Sequence, residues 1–329
     1  MTSKAHYDEA YIWIWLPGAT EPVVAGRLAR DGESLIFNYG RSYLELEGAI
    51  PLYLPELPLR PGAIPPEPGL NMAGCLRDGA PDAWGRRVIL NRTFGIKGND
   101  ANIGAIDELP YLLESGSDRI GALDFQLSPT TYVPRAAQSA SLEELLTAAE
   151  KVEKGISLNP ELDQALFHGS SLGGARPKAM IEDGDKKLIA KFSSSSDTYN
   201  VVKAEFIAMR LAAKAGLTVA PVRLTNVAGK DVLLVERFDR MRTNDGWQRR
   251  AMVSALTIFG LDEMMARYAS YASYADLTEV IRHRFSRPKD TLRELFGRLV
   301  FKPVRQHGRP CPQPCGLLGG QGAYFNACL

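Results

Sequence analysis

The sequence predicts a mixed α/β protein. Three observations carry that expectation: short alternating runs between residues 11 and 54, a capped amphipathic stretch over 141–154, and strand-like and helix-like stretches that follow one another from 178 to 236. The chain has 329 residues, enough for about two domains or lobes, with 45% hydrophobic and 23% charged residues, an ordinary globular composition. Its 39 Lys+Arg balance 38 Asp+Glu to a net +1, which speaks against a broad nucleic-acid or membrane-attracting face. Three of the four cysteines fall in the last 19 residues, which is no disulfide framework, so a cytoplasmic location is expected. No targeting segment is expected at the start, where Asp8 and Glu9 precede the short apolar run Tyr11–Leu16. A membrane span is not expected at Pro310–Leu329, which Pro310, Pro312, Pro314 and four glycines interrupt.

Tyr11–Leu16, Val23–Leu28, Ser34–Tyr39 and Ser42–Leu46 read as strands, separated by Pro17-Gly18, Asp31-Gly32 and Gly40. They predict a small β meander or barrel-like subdomain. Seven prolines between Pro51 and Pro68 exclude a helix there. Pro81–Arg92 reads as helical, with Trp84, Val88 and Ile89 on one face. Ser141 and Glu144 form a capping box, followed by the stripe Leu142, Leu145, Leu146, Ala149 and Val152. Lys178–Glu182 and Lys187–Phe192 are strands, Lys203–Ala215 is a helix ended by Gly216, and strands follow near Val219–Thr225 and Val232–Glu236. The remainder to Phe301 is expected to be mostly helical, ending in Thr291–Phe301.

Three features carry chemistry. In Ser170–Lys178, Gly173, Gly174 and Ala175 permit close backbone approach, so consecutive N–H groups can form an anion-binding nest; such a loop is also an ordinary turn. It matches neither a Walker A loop nor a dinucleotide fingerprint. Lys191 sits between apolar strand neighbours, 14 residues before Glu205 on the next helix. A strand lysine paired to a helix carboxylate is how protein kinases hold nucleotide phosphates; the other reading is an edge lysine facing water. The strand Val232–Glu236 runs into Arg237-Phe238-Asp239-Arg240, either a backbone hinge for adenine or a charged strand end with a buried Phe.

Together these residues resemble the HipA-like serine/threonine kinases, toxins of bacterial toxin–antitoxin pairs. The resemblance extends over most of residues 10–301. Its marks are Asp78, Pro81-Asp82, Trp84-Gly85-Arg86, then Ile120-Gly121-Ala122-Leu123, Ser171–Lys178, Lys191, and Val235–Arg240, in that order. It implies a kinase-like two-lobed fold: an N-terminal β subdomain over 1–55, the rest of the N-terminal region over 56–165, and a nucleotide-binding region with the start of a helical lobe over 166–301. By resemblance, Gly173, Gly174, Ala175, Arg176, Pro177 and Lys178 form the ATP phosphate loop. Lys191 binds phosphate with Glu205 as its structural partner, and Glu236, Arg237 and Phe238 form the adenine hinge. Ser171, with Ser170 beside it, matches the serine that members autophosphorylate; a phosphate there would compete with ATP for the nest. The resemblance also implies a HipB-like DNA-binding antitoxin as partner, DNA contact only through it, and an aminoacyl-tRNA synthetase such as glutamyl-tRNA synthetase as substrate.

The sequence departs from this family after Phe301. The family's catalytic loop, N-x-D-D-H-x-x-N, supplies the proton acceptor and Mg²⁺ ligands. Lys302–Leu329 contains no Asp or Glu, and Gly and Pro make up 9 of its 28 residues. No magnesium site can be assembled there, because the hard oxygen ligands are missing. Synonymous codons for Gln306–Cys315, read from the second base, permit N-T-D-D-H-A-R-N-H. The segment is therefore expected to be a frameshifted tail, largely irregular, that leaves the stripe Leu292, Leu295, Phe296, Leu299 and Val300, which Phe301 continues, only partly covered. Cys311, Cys315, Cys328 and His307 offer four nominal zinc ligands, but the frameshift accounts for the cysteines without a metal. The expectation is a HipA lineage without catalytic machinery, with ATP bound weakly. The alternatives are a non-catalytic binder of an antitoxin or nucleotide, and an unrelated α/β ligand-binding protein.

Overall fold

The computed structural model describes residues 7–94, 107–135, 140–156, 158, 176–262, 265, 273–305, 315–319 and 322–325. The first body is an antiparallel sheet of β1 (Glu9–Ile14), β2 (Val23–Asp31), β3 (Ser34–Tyr39) and β4 (Leu123–Gln126), in the order β3-β2-β1-β4. The expected meander is therefore present. Its closing strand comes from the far side of the N-terminal region, pairing Ile12 with Phe125 and Ile14 with Leu123. Gly26 is required on β2, where a side chain would run into the Asn38 carbonyl and the Phe37 ring. The sheet buries Ile12, Leu28 and Phe37 against Tyr43, Leu57, Met72 and Leu112.

One expected strand is wrong. Ser42–Leu46 falls in a short helix, α1 (Arg41–Leu44), because Tyr43 turns inward to stack on Tyr39 and donates its hydroxyl hydrogen bond to Ile50 O. The proline-rich connection is non-helical, as expected, and Ile64 bridges to Phe37. After α2 (Gly74–Arg77), the helix expected at 81–92 is α3 (Ala83–Phe94), and α4 (Glu108–Glu114) packs beside it.

The second body is a sheet in the order β5-β6-β8-β7, made of β5 (Lys178–Asp183), β6 (Lys186–Lys191), β7 (Val222–Val227) and β8 (Lys230–Glu236), antiparallel throughout. Its alternating side chains supply two apolar faces. Ala179, Leu188, Ala190, Val232 and Leu234 meet Trp84, Val88 and α5 (Leu142–Glu153). Leu233 and Val235 face the other way, onto Val202 and Met209 of α6 (Val201–Lys214). The capping box of Ser141 and Glu144 is formed.

The expectation of helix from 237 to 301 is corrected in its first part. Arg240–Thr243 (β9) and Gly246–Arg249 (β10) form a hairpin, and Ala251–Ser254 (β11) follows before α7 (Ala255–Phe259). Charged and polar residues there run without a 3.6 period because they engage ion pairs rather than a helical core. Tyr274–Arg284 (α8) and Pro288–Arg305 (α9) then form a helical pair around Leu277, Ile281, Phe285 and Leu295. On α9, Leu295 is buried whereas Phe296 and Val300 are 68% and 57% exposed, so the stripe is only partly covered.

The tail is not wholly irregular. The α9 helix continues to Arg305, and β12 (Cys315–Gly319) and β13 (Gly322–Phe325) add a hairpin to β11. Backbone pairing needs no particular side chain, so a glycine-rich segment can join an available strand edge. No helix among the described residues is long and apolar enough to cross a membrane.

Candidate functional site

On the α6 face of the second sheet, Lys178 opens β5 and Lys191 closes β6, and the register sets them directly opposite each other. Lys191 Nζ lies 2.6 Å from Glu205 Oε1 on α6, the pairing that the resemblance implies and not the edge lysine facing water. Val202 and Met209 dock the same helix onto Leu233 and Val235, so the apolar packing of α6 positions its carboxylate over the sheet. Lys178 is 6% exposed, and its ammonium has no hydrogen-bond partner among the described residues. Burial, then the charge of Lys191 opposite, draws the Lys178 pKa down from 10.5 to about 7; Asp82 and Glu205 act against the shift. Two amines facing one another across adjacent strands repel. An anion set between them would relieve that repulsion and give the orphaned Nζ an acceptor.

Along the same pair of strands, Leu188 lies opposite Glu236, and Lys191 opposite Leu233. Three residues of strand therefore separate the lysine from the start of the Glu236–Phe238 segment, about 10 Å at the rise of a β-strand. Glu236 N–H donates to Pro221 O at 2.9 Å. In an antiparallel ladder that partner would return a bond, but a proline has no N–H, so the Glu236 carbonyl is left without its ladder donor. The N–H of Phe238, two residues on, has no acceptor among the described residues. An open carbonyl and an open N–H two residues apart are the donor and acceptor that a heterocyclic amide-like edge requires.

The side chains of this segment are committed elsewhere. Glu236 Oε2 is 2.7 Å from Lys186 Nζ. Arg237 is buried, bonded to Asp239 and Asp118 and to the Arg119 carbonyl. Arg176 is half-exposed and paired to Asp197 at 2.6 Å, and Pro177 O receives Phe192 N–H. Gly173, Gly174, Ala175, Ser170 and Ser171 lie outside the described residues, as do His307, Cys311 and Cys328.

Sequence reasoning missed the ion network that joins the two bodies. Arg237 and Arg240 both reach Asp118 and Asp239, and Asp239 Oδ2 accepts the Gly121 N–H at 2.9 Å. Although burial opposes ionisation of Asp239, the two guanidiniums hold its pKa down at about 2. Arg119 and Asp124 form a fully buried pair at 2.8 Å, with Arg135 joining Asp124 at 2.9 Å. Asp78 accepts from Ser254 N–H and from the Thr257 hydroxyl, tying α2 to the start of α7. Trp84 Nε1 donates to the Lys178 carbonyl at 3.1 Å and so anchors the site strand from behind. Most of these residues lie in or beside the motifs that carry the resemblance. The available signal was charge inside otherwise apolar runs, which without partners to hand reads as solvent exposure.

Comparison with known proteins agrees with this architecture. Residues 16–126 match the HipA N-terminal domain, and residues 170–307 match the HipA-like C-terminal domain. A Sinorhizobium fredii protein named "Putative kinase Y4mE" is 30% identical over 150 residues, which are 41% of this chain and 35% of that protein, so the match spans about a third of the relative's length. Among solved structures, the Shewanella oneidensis MR-1 complex of HipA, HipB and operator DNA superposes with a TM-score of 0.65 at 18% identity, covering 97% of this chain and 74% of that one. At that identity the likeness establishes the fold. With both domain models matched in order along the chain, on a backbone that follows the same course, the protein belongs to the HipA family.

Proposed function

We propose that this chain is a nucleotide-binding HipA-type protein that does not transfer phosphate. The observation that carries the binding half is Lys178, a buried amine without a hydrogen-bond partner among the described residues, set opposite the Glu205-paired Lys191. That arrangement fits the triphosphate of ATP, and the open Glu236 carbonyl and Phe238 N–H, about 10 Å along the strands, fit its adenine edge. When bound, ATP would supply the transferable phosphoryl group; Lys178 and Lys191 would hold phosphate, and Glu205 would keep Lys191 extended.

Magnesium does not fit in the same way. The family's metal ligands follow the helix that here is α9, and Lys302–Leu329 carries no carboxylate. The family match also stops at residue 307, inside the segment Lys302–Leu329 that has no Asp or Glu, which supports a shifted reading frame beyond about Lys302. Positioning, proton acceptance and charge neutralisation act as a unit, so their joint loss removes phosphoryl transfer by orders of magnitude. The partner we propose is a small DNA-binding antitoxin of the HipB kind, the protein that accompanies HipA in the Shewanella oneidensis complex. Ser171 is the proposed phosphoacceptor, modified only by an active copy.

Calorimetry with ATP tests the reading. Binding should be weak, nearly indifferent to Mg²⁺, and at least tenfold weaker in Lys191→Ala. Tight, magnesium-dependent binding or robust autophosphorylation by the pure chain would overturn it. Restoring the alternative frame after residue 301 should restore phosphoryl transfer.

A further inference from the structure

A second binding surface lies on the opposite side of α6 from Glu205. At 100° per residue, Ile207, Leu211 and Lys214 stand roughly 120–200° around the helix from Glu205. They, with Phe206 and Arg210, form one wall of a groove of about 690 Å³ whose other wall is Val222, Arg223 and Leu224 of β7. β7 is an edge strand of its sheet, so among the described residues no further strand closes the groove on that side. Ile207 and Leu211 are 51% and 47% exposed, unusual for large aliphatic side chains so close together. The groove is lined by three cations and no carboxylate. Arg223 is engaged with Asp183 at 2.7 Å, whereas Arg210 and Lys214 have no ion-pair partner among the described residues.

We infer that this groove is a docking site for a protein segment that carries two large apolar side chains flanked by acidic residues. The apolar floor takes the side chains, and Arg210 and Lys214 set the sign of the flanking charge. A solely apolar partner would leave both cations at the rim unanswered, and a basic one would be repelled. The position gives the site a consequence. The groove and Glu205 lie on the same four turns of one rigid helix, so an occupant that holds α6 against β7 also holds Glu205 against Lys191. Docking is thereby coupled to the geometry of the phosphate-binding lysine, a coupling that rests on the functional reading above.

The test uses the full chain and a fluorescent peptide with two phenylalanines four positions apart and two glutamates at each end. Anisotropy should show saturable binding that weakens with salt, falls at least tenfold in Leu211→Asp, and falls severalfold in the Arg210→Glu, Lys214→Glu double variant. All three positions are exposed, so the fold is expected to survive; circular dichroism checks this. A lysine-flanked version of the peptide should bind the double variant and not the original chain. Equal binding of both peptides to the original chain, or binding that ignores these substitutions, overturns the proposal. So does dimerisation by sedimentation that Leu211→Asp abolishes, since a second copy would then be the occupant. Peptide docking should slow chemical acetylation of Lys191; an unchanged rate overturns the coupling. A chain that docks the peptide yet never binds ATP would sink the nucleotide reading alone.

Discussion

Lys178 shows what burying a single amine does to stability. Its pKa is depressed from 10.5 to about 7 by burial first and by Lys191 second. Between those values the unfolded chain holds a proton that the folded chain lacks, so stability rises with pH through that window. Below about pH 7 both states are charged, and the full cost of burying the ammonium remains. Lys178→Met should therefore be more stable than the original chain at pH 7, with the gap narrowing by up to about 1.4 kcal/mol per pH unit toward pH 10. Urea unfolding of both proteins from pH 6 to 10 measures this, and parallel pH profiles would refute the assignment. The ion network makes the opposite prediction. Arg119 and Asp124 are fully buried partners, so Asp124→Asn leaves Arg119 largely uncompensated and should cost about 3–5 kcal/mol. A loss below about 1 kcal/mol in denaturant unfolding would show that the pair is replaceable.

At the scale of elements, local signals succeed where the partner groups lie within a few residues. The capping box at Ser141 forms because Ser141 Oγ and Glu144 each satisfy the other's orphan N–H one turn away. Ser141→Ala should destabilise the protein by about 1 kcal/mol, measurable as a shifted unfolding midpoint. The same local logic fails at Ser42–Leu46. A run with strand propensity became α1 because Tyr43 fills a space beside Tyr39, a neighbour set by the sheet and not by the run itself. Gly26 is a further case: its glycine is demanded by the carbonyl of Asn38 on the neighbouring strand. Gly26→Ala should weaken the β2–β3 pairing, with amide exchange in both strands faster than in the rest of the sheet.

For the whole molecule, α9 decides how the chain behaves in solution. Leu295 packs into the α8–α9 core, but Phe296 and Val300 stand in solvent. The segment that follows contributes a hairpin to β11 rather than a helical face over that stripe. Exposed large apolar side chains close together favour self-association. The chain should bind a hydrophobic dye more strongly than its frame-restored counterpart, and Phe296→Ser with Val300→Ser should lower that signal without lowering the unfolding midpoint. Equal dye binding in all three would remove the case for an uncovered face.

How much was legible divides along the range of the interactions. Sequence alone determined the order of strands and helices from 178 to 236, and the resemblance it carries offered the Lys191–Glu205 pair. In each case the informative groups are close in sequence or recur at a fixed period, so their spacing already encodes their geometry. It also determined that Lys302–Leu329 carries no carboxylate. Only the tertiary structure decided that β4 closes the first sheet and that Arg237 and Arg240 bind Asp118 across more than a hundred residues. It alone showed that Lys178 has no hydrogen-bond partner among the described residues, and that proline opposite Glu236 leaves a carbonyl without its ladder donor. These depend on which strands become neighbours. Strand pairing is chosen by burial of whole apolar faces, a property of the assembled sheets that no local stretch of sequence contains.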